Sequence, residues 1–403
     1  MRVRLGYTIT SYPPAIGGAQ LHAHMLARHL APSSIVTVAS MWSEHRTDWL
    51  RGTTISAPSE TRCYDVDGIP VTRIGLTQRE RLGLLAPVAG YLLAQSWAIN
   101  AIARTLVPHL RLALADVDLI HNFRIGREPI TYATWLLARE LGVPFVLTPF
   151  HHPRWGGWLH RGYHRLYRAA DAVLAMTRAE REVLVGLGVA RERITVLGHG
   201  PVLAPEPQPE RFRKSTGIAG PFVLFLGQKF AYKGLDALLQ AAPRVWARYP
   251  EPRFVFIGPR TSHSRKAFAN YSDSRIVEMD EMSLVGKTDA LAACTLLCVP
   301  SSQESFGGVY TEAWALGKPV IGVDTPATRE LIHHGKDGLL VSQTASSIAD
   351  AILDVLSDPS KGQMMGTQGR AKVERHFLWP RIAKRAAAAY DEVLTRHGGL
   401  AEA

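Results

Sequence analysis

The chemistry-bearing stretch of this chain is Glu304 to Gly322, ESFGGVYTEAWALGKPVIG, in which seven residues separate two carboxylates, Glu304 and Glu312. Before it, the apolar run Leu296 to Pro300 reads as a buried strand, and after it Gly317 and Pro319 mark a helix end ahead of a second apolar run, Val320 to Val323. The segment is therefore strand, turn, helix, strand. In such a unit the turn lies at the carboxyl end of the first strand, and the unpaired N–H groups of the helix start face it, so an anion is the natural ligand. Ser305, Phe306, Gly307 and Gly308 would supply those N–H groups.

Two glutamates beside an anion site need a reason, because each repels a phosphate. Hydroxyl groups provide one: a carboxylate accepts two hydrogen bonds from a vicinal diol, and a nucleotide sugar carries diols on both ribose and hexose. Other stretches fit an anionic, sugar-bearing ligand. Phe222 to Leu226 reads as a strand, followed by GQKFAYKG (Gly227 to Gly234) and a helix from about Leu235. Near the start, Arg4 to Ile9 reads as a strand, then a loop with the pair Gly17-Gly18 precedes a helix over about 21–30. Glycines at such a place let the backbone approach a phosphate closely; alone, the pair is more often a simple turn, and its position after the first strand is what favours a phosphate. His121-Asn122-Phe123-Arg124 ends another strand, and His151-His152 follows a strand over 144–149. No acidic or cysteine partner stands at ligand spacing from the paired histidines, so no metal site is expected.

The Glu304 to Glu312 unit resembles the E-x7-E motif of the retaining glycosyltransferases of family 4, and Gly227 to Gly234 is similar to their G-R-x4-K-G motif. The Gly17-Gly18 loop occupies the place of their first glycine pair. The resemblance spans almost the whole chain. It implies an α/β chain of the GT-B fold: two doubly wound Rossmann-like domains facing across a cleft, the C-terminal helix crossing back to the first domain. It also implies a hexosyltransferase that is metal-independent, needs no resident cofactor and takes a nucleoside-diphosphate sugar as substrate. By the same resemblance Lys233, with Gln228 and Lys229, would hold the donor diphosphate together with Gly17, Gly18 and the 305–308 amides. Glu304 would grip the hexose, Glu312 the ribose, and His121 would stand with Glu304 and Lys233 as a catalytic group. His151 or His152 would line the acceptor side. The chain departs from the pattern in two places. Gln228 replaces an arginine, and a neighbouring lysine restores charge without the guanidinium fork. Phe123 stands where the family has the second histidine of His-x-His, so either His121 or Asn122 substitutes or that contact is missing; the plain structural alternative has His121 capping the strand end through a backbone hydrogen bond. Other functions of the scaffold, an epimerase of nucleotide sugars or a non-catalytic nucleotide-sugar-binding subunit, stay open, whereas a phosphorylase lacks a recognisable pyridoxal-binding lysine context.

With 403 residues, 46% of them hydrophobic, the chain can bury two cores. Strands alternating with helices in both halves call for two such sheets. The resemblance sets the domains at residues 1–200 with helix 380–403, and 209–379. The alternate prolines Pro205, Pro207 and Pro209 mark a linker between them, set at 201–208. Three cysteines without paired spacing argue against a disulfide framework and for a reducing compartment. The first residues show no apolar leader-like run, so a cytoplasmic protein is expected, with peripheral contact at the inner face of a membrane as an option. Residues 1–204 hold 22 Arg and no Lys against 14 Asp and Glu, a bias suited to an anionic surface or acceptor. The arginines are scattered and no nucleic-acid motif accompanies them, so nucleic acid is not an expected partner; a glycan, lipid-linked or small-molecule acceptor is. The 22 uncharged residues from Leu82 to Ala103 approach the length of a membrane span, but Pro87, Gln95, Ser96 and Asn100 favour a buried helix beside a sheet. The stretch 154–168, rich in Arg, Trp and Tyr, reads as a solvated helix with its aromatics in the core or as a membrane-interface helix.

Overall fold

A computed structural model describes residues 2–15, 17–42, 49–124, 128–152, 155, 157 and 160–401. The chain forms two compact units, residues 1–198 with 379–403, and residues 199–378.

The first unit is built on a sheet of eight strands among the described residues: β1 (Val3–Ile9), β2 (Ser34–Ser40), β3 (Arg62–Val66), β4 (Ile69–Arg73), β5 (Leu119–Phe123), β6 (Phe145–Thr148), β7 (Ala172–Ala175) and β8 (Ile194–Val196), in the order β3-β4-β2-β1-β5-β6-β7-β8. All neighbours run parallel except β3 and β4, a hairpin at the edge that periodicity alone did not suggest. Buried on both faces, the central strands have near-continuous apolar sequences, as parallel strands must. The strand order reverses between β1 and β5, which puts the loops after those strands at a switch point. Helix Trp379–Ala401 completes this unit. Its Tyr390 hydroxyl stands 3.0 Å from the Tyr7 hydroxyl and 2.6 Å from His121 Nδ1, and the ring of Trp379 lies 5.4 Å from that of His22.

The uncharged run 82–103 is divided among three helices, Gln78–Gly83, Leu85–Ala89 and Gln95–Ala113, rather than forming one long span. No described helix is long and apolar enough to cross a membrane. In the aromatic stretch, helix Arg161–Ala169 buries Tyr163 and Tyr167, as the solvated-helix reading requires; Trp158 lies outside the described residues.

The second unit is a parallel sheet of β9 (Phe222–Leu226), β10 (Arg253–Ile257), β11 (Ile276–Met279), β12 (Leu296–Val299), β13 (Val320–Val323) and β14 (Leu339–Val341), in the order β11-β10-β9-β12-β13-β14. Here the reversal falls between β9 and β12, with Val223 paired to Leu296 and Leu224 to Leu297. The polar stretch 262–273 includes the short helix Ser262–Phe268, started by reciprocal hydrogen bonds between Thr261 and Ser264. That pair has the geometry of a capping box with serine in the place of the usual acid, so the local signal was weak.

The proline-rich 201–208 segment is not a free linker. Its Ala204 N–H donates to Thr288 Oγ1 (2.9 Å) and its Gln208 N–H to the buried carboxylate of Asp289 (2.7 Å), which also takes the Arg211 guanidinium. Prolines remove donors, and the N–H groups of Ala204 and Gln208 are tied down by one helix, Leu284–Ala293. Replacing Thr288 by the isosteric Val strands the Ala204 N–H in a buried place. Thr288→Val is expected to lower the stability of this unit by about 1–3 kcal/mol in urea unfolding; an unchanged midpoint would show that the stitch carries no weight.

Candidate functional site

The loops after β9 and β12 lie side by side at the switch point of the second sheet. Their closeness has a steric cause. Gly234 has φ +80°, and a methyl group there would stand 2.2 Å from the Pro300 carbonyl oxygen, so any other residue would push the loops apart. Hydrogen bonds add to the contact: Ser302 N–H donates to the Tyr232 carbonyl (2.9 Å), and the Gln343 amide donates to both Tyr232 (3.0 Å) and Pro300 (2.7 Å) carbonyls.

Across this seam Lys233 Nζ donates to Glu304 Oε1 at 2.5 Å, with only 19% and 10% of the two side chains exposed. Helix Gly308–Ala315 starts four residues after Glu304. It carries no acid in its first turn and no side-chain cap, so its positive end is left for an external partner. Its position is fixed from behind by two buried aromatics. Tyr310 donates to the Val299 carbonyl (2.6 Å) and Trp314 to the Asp337 carbonyl (2.7 Å). Gly308 is needed because a methyl group there would meet the His199 ring at 2.5 Å.

Glu312, one turn into that helix, is 4% exposed. Its carboxylate accepts from Lys287 Nζ at 2.7 Å, and the same amine donates to the Val202 carbonyl at 2.7 Å. Lys287 was not singled out from the sequence, although a signal existed: a lysine in the opening turn of a helix opposes the helix dipole and so implies an acidic partner elsewhere. His199 was missed as well. Its burial, and then the charge of Lys287, push its pKa down to about 3, which keeps the ring neutral.

Several expected site residues are placed differently. Lys229 does not stand in for the missing arginine. Its side chain is fully buried, and its amine donates to Glu278 Oε1 (3.1 Å) and the Met279 carbonyl (2.6 Å) on β11. Burial lowers its pKa, against the pull of Glu278. Gln228 is exposed. His121 is a structural residue of the first unit rather than a group open to a sugar. It is fully buried, with Nδ1 at 2.6 Å from Tyr390 and Nε2 at 2.8 Å from Thr148 Oγ1, so both ring nitrogens are occupied by side chains and not by the strand-end backbone. Asn122 is buried too, its amide donating to Thr8 Oγ1 (2.8 Å).

Gly18 opens helix Gly18–Leu30, with Gly17 as the residue before it and open space where a Gly18 side chain would be. His151 is 7% exposed, its N–H donating to Glu180 Oε1 (2.6 Å) and its Nδ1 lying 3.2 Å from the Tyr167 hydroxyl; His152 is partly buried, its ring 4.9 Å from that of Trp155. Burial, with Arg124 next, takes the His151 pKa down to about 4. Thr177-Arg178-Ala179-Glu180 has the spacing of a capping box. Thr177 Oγ1 does accept the Glu180 N–H, but the carboxylate accepts from His151 and from Met176 (2.6 Å) instead. Among the described residues, no three His, Cys, Asp or Glu side chains gather as a metal-binding group.

Two open, doubly wound sheets of this kind are the architecture of the GT-B fold. The chain matches the TM-score 0.74 structure of Anabaena Alr3699/HepE in complex with UDP and glucose, at 18% identity over 97% of this chain and all of that one, a likeness of fold. Residues 208–372 match the family model for glycosyl transferases group 1, and residues 17–200 that for a glycosyl transferase 4-like domain. Between them these span most of the sequence, and the chain belongs to the family-4 glycosyltransferases. Among curated relatives, D-inositol 3-phosphate glycosyltransferase of Kribbella flavida is 31% identical over 57% of this chain and 58% of its own length. Phosphatidyl-myo-inositol mannosyltransferase of Mycobacterium tuberculosis is 29% identical over 43% of this chain and 48% of its own. The chain spans about half the length of these relatives.

The neutral His199 makes a pH prediction. In the unfolded chain this histidine takes up a proton near 6.5, and in the folded one only near 3, so its contribution to stability is full above about 6.5 and is lost as pH falls. Between about pH 7.5 and about pH 5 it should account for about 2 kcal/mol of lost stability in the second unit. Urea unfolding at the two pH values checks this: the His199→Gln protein should show a shallower pH dependence, and an equal slope would contradict the assignment.

Proposed function

We propose that the chain transfers a hexose from a nucleoside-diphosphate sugar to an acceptor hydroxyl, in the synthesis of a glycan, glycolipid or glycoconjugate. The carrying observation is the Lys233–Glu304 pair at the open start of helix Gly308–Ala315. Breaking the bond between the anomeric carbon and the diphosphate oxygen leaves negative charge on the diphosphate and positive character on the sugar. Charge on the leaving group is met by the Lys233 ammonium and the backbone N–H groups of residues 306–308, without calling for a metal. Glu304 accepts hydrogen bonds from hexose hydroxyls, and Glu312, oriented by Lys287, accepts from the ribose diol. Attack on the same face that the phosphate leaves retains the anomeric configuration and sets the acceptor hydroxyl beside a phosphate oxygen, the base nearest to its proton. The relatives named for inositol phosphate and phosphatidyl-inositol support an acceptor that carries a polyol or its phosphate.

A binding-only role has one observation in its favour: Gln228 stands exposed where the family has an arginine, and the lysine beside it is held by Glu278. One assay separates the two. The chain is mixed with UDP-, GDP- and ADP-sugars and a panel of polyol and glycan acceptors, and nucleoside diphosphate release is followed. Transfer is expected with at least one donor, and Glu304→Gln and Lys233→Met should each reduce kcat/KM by about 10²–10³-fold. Binding without release across the panel would favour the binding-only role, and near-normal rates in both variants would contradict the site.

A further inference from the structure

The first unit carries an apolar surface that the transfer chemistry does not use. Leu82 (59% exposed), Leu85 (51%), Leu92 (61%), Leu93 (94%) and Trp97 (53%) all face solvent within sixteen residues of sequence. Single exposed leucines are ordinary, but a run of this kind is not. The segment is firmly built. Leu84, Tyr91, Ala98 and Ile99 of the same stretch are buried in the core, so the opposite face is held outward rather than left loose. The Trp97 ring packs over Gly90, where a methyl group would stand 3.2 Å from it, which keeps the indole beside the turn that presents Leu92 and Leu93.

The charges that adjoin this segment in sequence are mainly basic. No acidic residue occurs between Arg81 and Asp116, while Arg79 and Arg104 flank the patch and are exposed. Glu80, at its edge, is taken up by Thr77 Oγ1 and by His109, each at 2.7 Å. Residues 1–204 as a whole carry 22 Arg against 14 acids. A partner protein would be met by a rim of mixed charges; a leucine–tryptophan surface rimmed by arginine matches the apolar interior and anionic headgroups of a bilayer.

We infer that the 82–97 segment is a peripheral membrane-docking surface that inserts Leu92, Leu93 and Trp97 into the interface of an anionic lipid leaflet while Arg79 and Arg104 contact its headgroups. The inference is independent of the nucleotide-sugar reading. Docking needs only shallow burial, consistent with two short helices and the start of a longer one, all anchored in a core, and not with a span.

The test is co-sedimentation of the whole protein with phosphatidylglycerol-containing vesicles and with pure phosphatidylcholine vesicles, at low and high salt. Binding is expected to the anionic vesicles, weakened by salt, and reduced more than about tenfold in Leu93→Glu/Trp97→Glu. Leu112→Glu serves as the control. Leu112 is 85% exposed on the same helix, about 22 Å along the axis from Trp97, and its replacement should leave binding unchanged. Circular dichroism of all three proteins establishes that they fold alike. Absence of binding to anionic vesicles, equal binding by the double variant, or an equal loss in Leu112→Glu would each overturn the inference. A lipid-free dimer that Leu93→Glu/Trp97→Glu converts to a monomer would also overturn it, by giving the surface to a second copy of the chain.

Discussion

A lysine kept from water at the head of a helix is the constraint on which the candidate site depends. Removing an ammonium from solvent is costly unless a charge partner offsets it, and Glu304 is that partner for Lys233. The pair holds a positive charge beside the uncapped start of helix Gly308–Ala315, so the site is organised before any ligand arrives. The contact is possible only because two loops from adjacent strands touch at Gly234 and Pro300. Strand order, a glycine with positive φ and an ion pair are therefore one device.

The same logic recurs one turn along the helix, where Lys287 offsets the buried Glu312 and presses on a neutral His199. Polar groups in the first unit are handled differently. His121, Tyr390, Tyr7 and Thr148 satisfy one another in a fully buried network, and burial drives the His121 pKa well below its ordinary range. That network fastens the final helix to β1, β5 and β6. Its residues look like chemistry in the sequence and act as structure in the fold.

Much of the fold was legible because parallel strands buried on both faces leave short apolar runs, and their turns leave glycine and proline. The Glu304 to Glu312 unit was legible for the same reason, since its strands, helix stop and glycines are local. What escaped was set by tertiary contact. Nothing local to Lys229 says that Glu278, 49 positions on, will take its amine. His121 owes its burial to Tyr390, 269 positions away. The 201–208 segment reads as a linker from its prolines, yet its N–H groups find partners on helix Leu284–Ala293. The 82–97 surface was visible only as an uncharged run, because which face points outward depends on the core it packs against.

The central claim, that the Lys233–Glu304 seam receives a nucleoside diphosphate, is tested most directly by a crystal structure of the protein with UDP, GDP or ADP bound. The account predicts the diphosphate within hydrogen-bond distance of Lys233 Nζ and of the backbone N–H groups of residues 306–308, with the ribose diol on Glu312. A diphosphate bound elsewhere, away from Lys233 and Glu304, would contradict it.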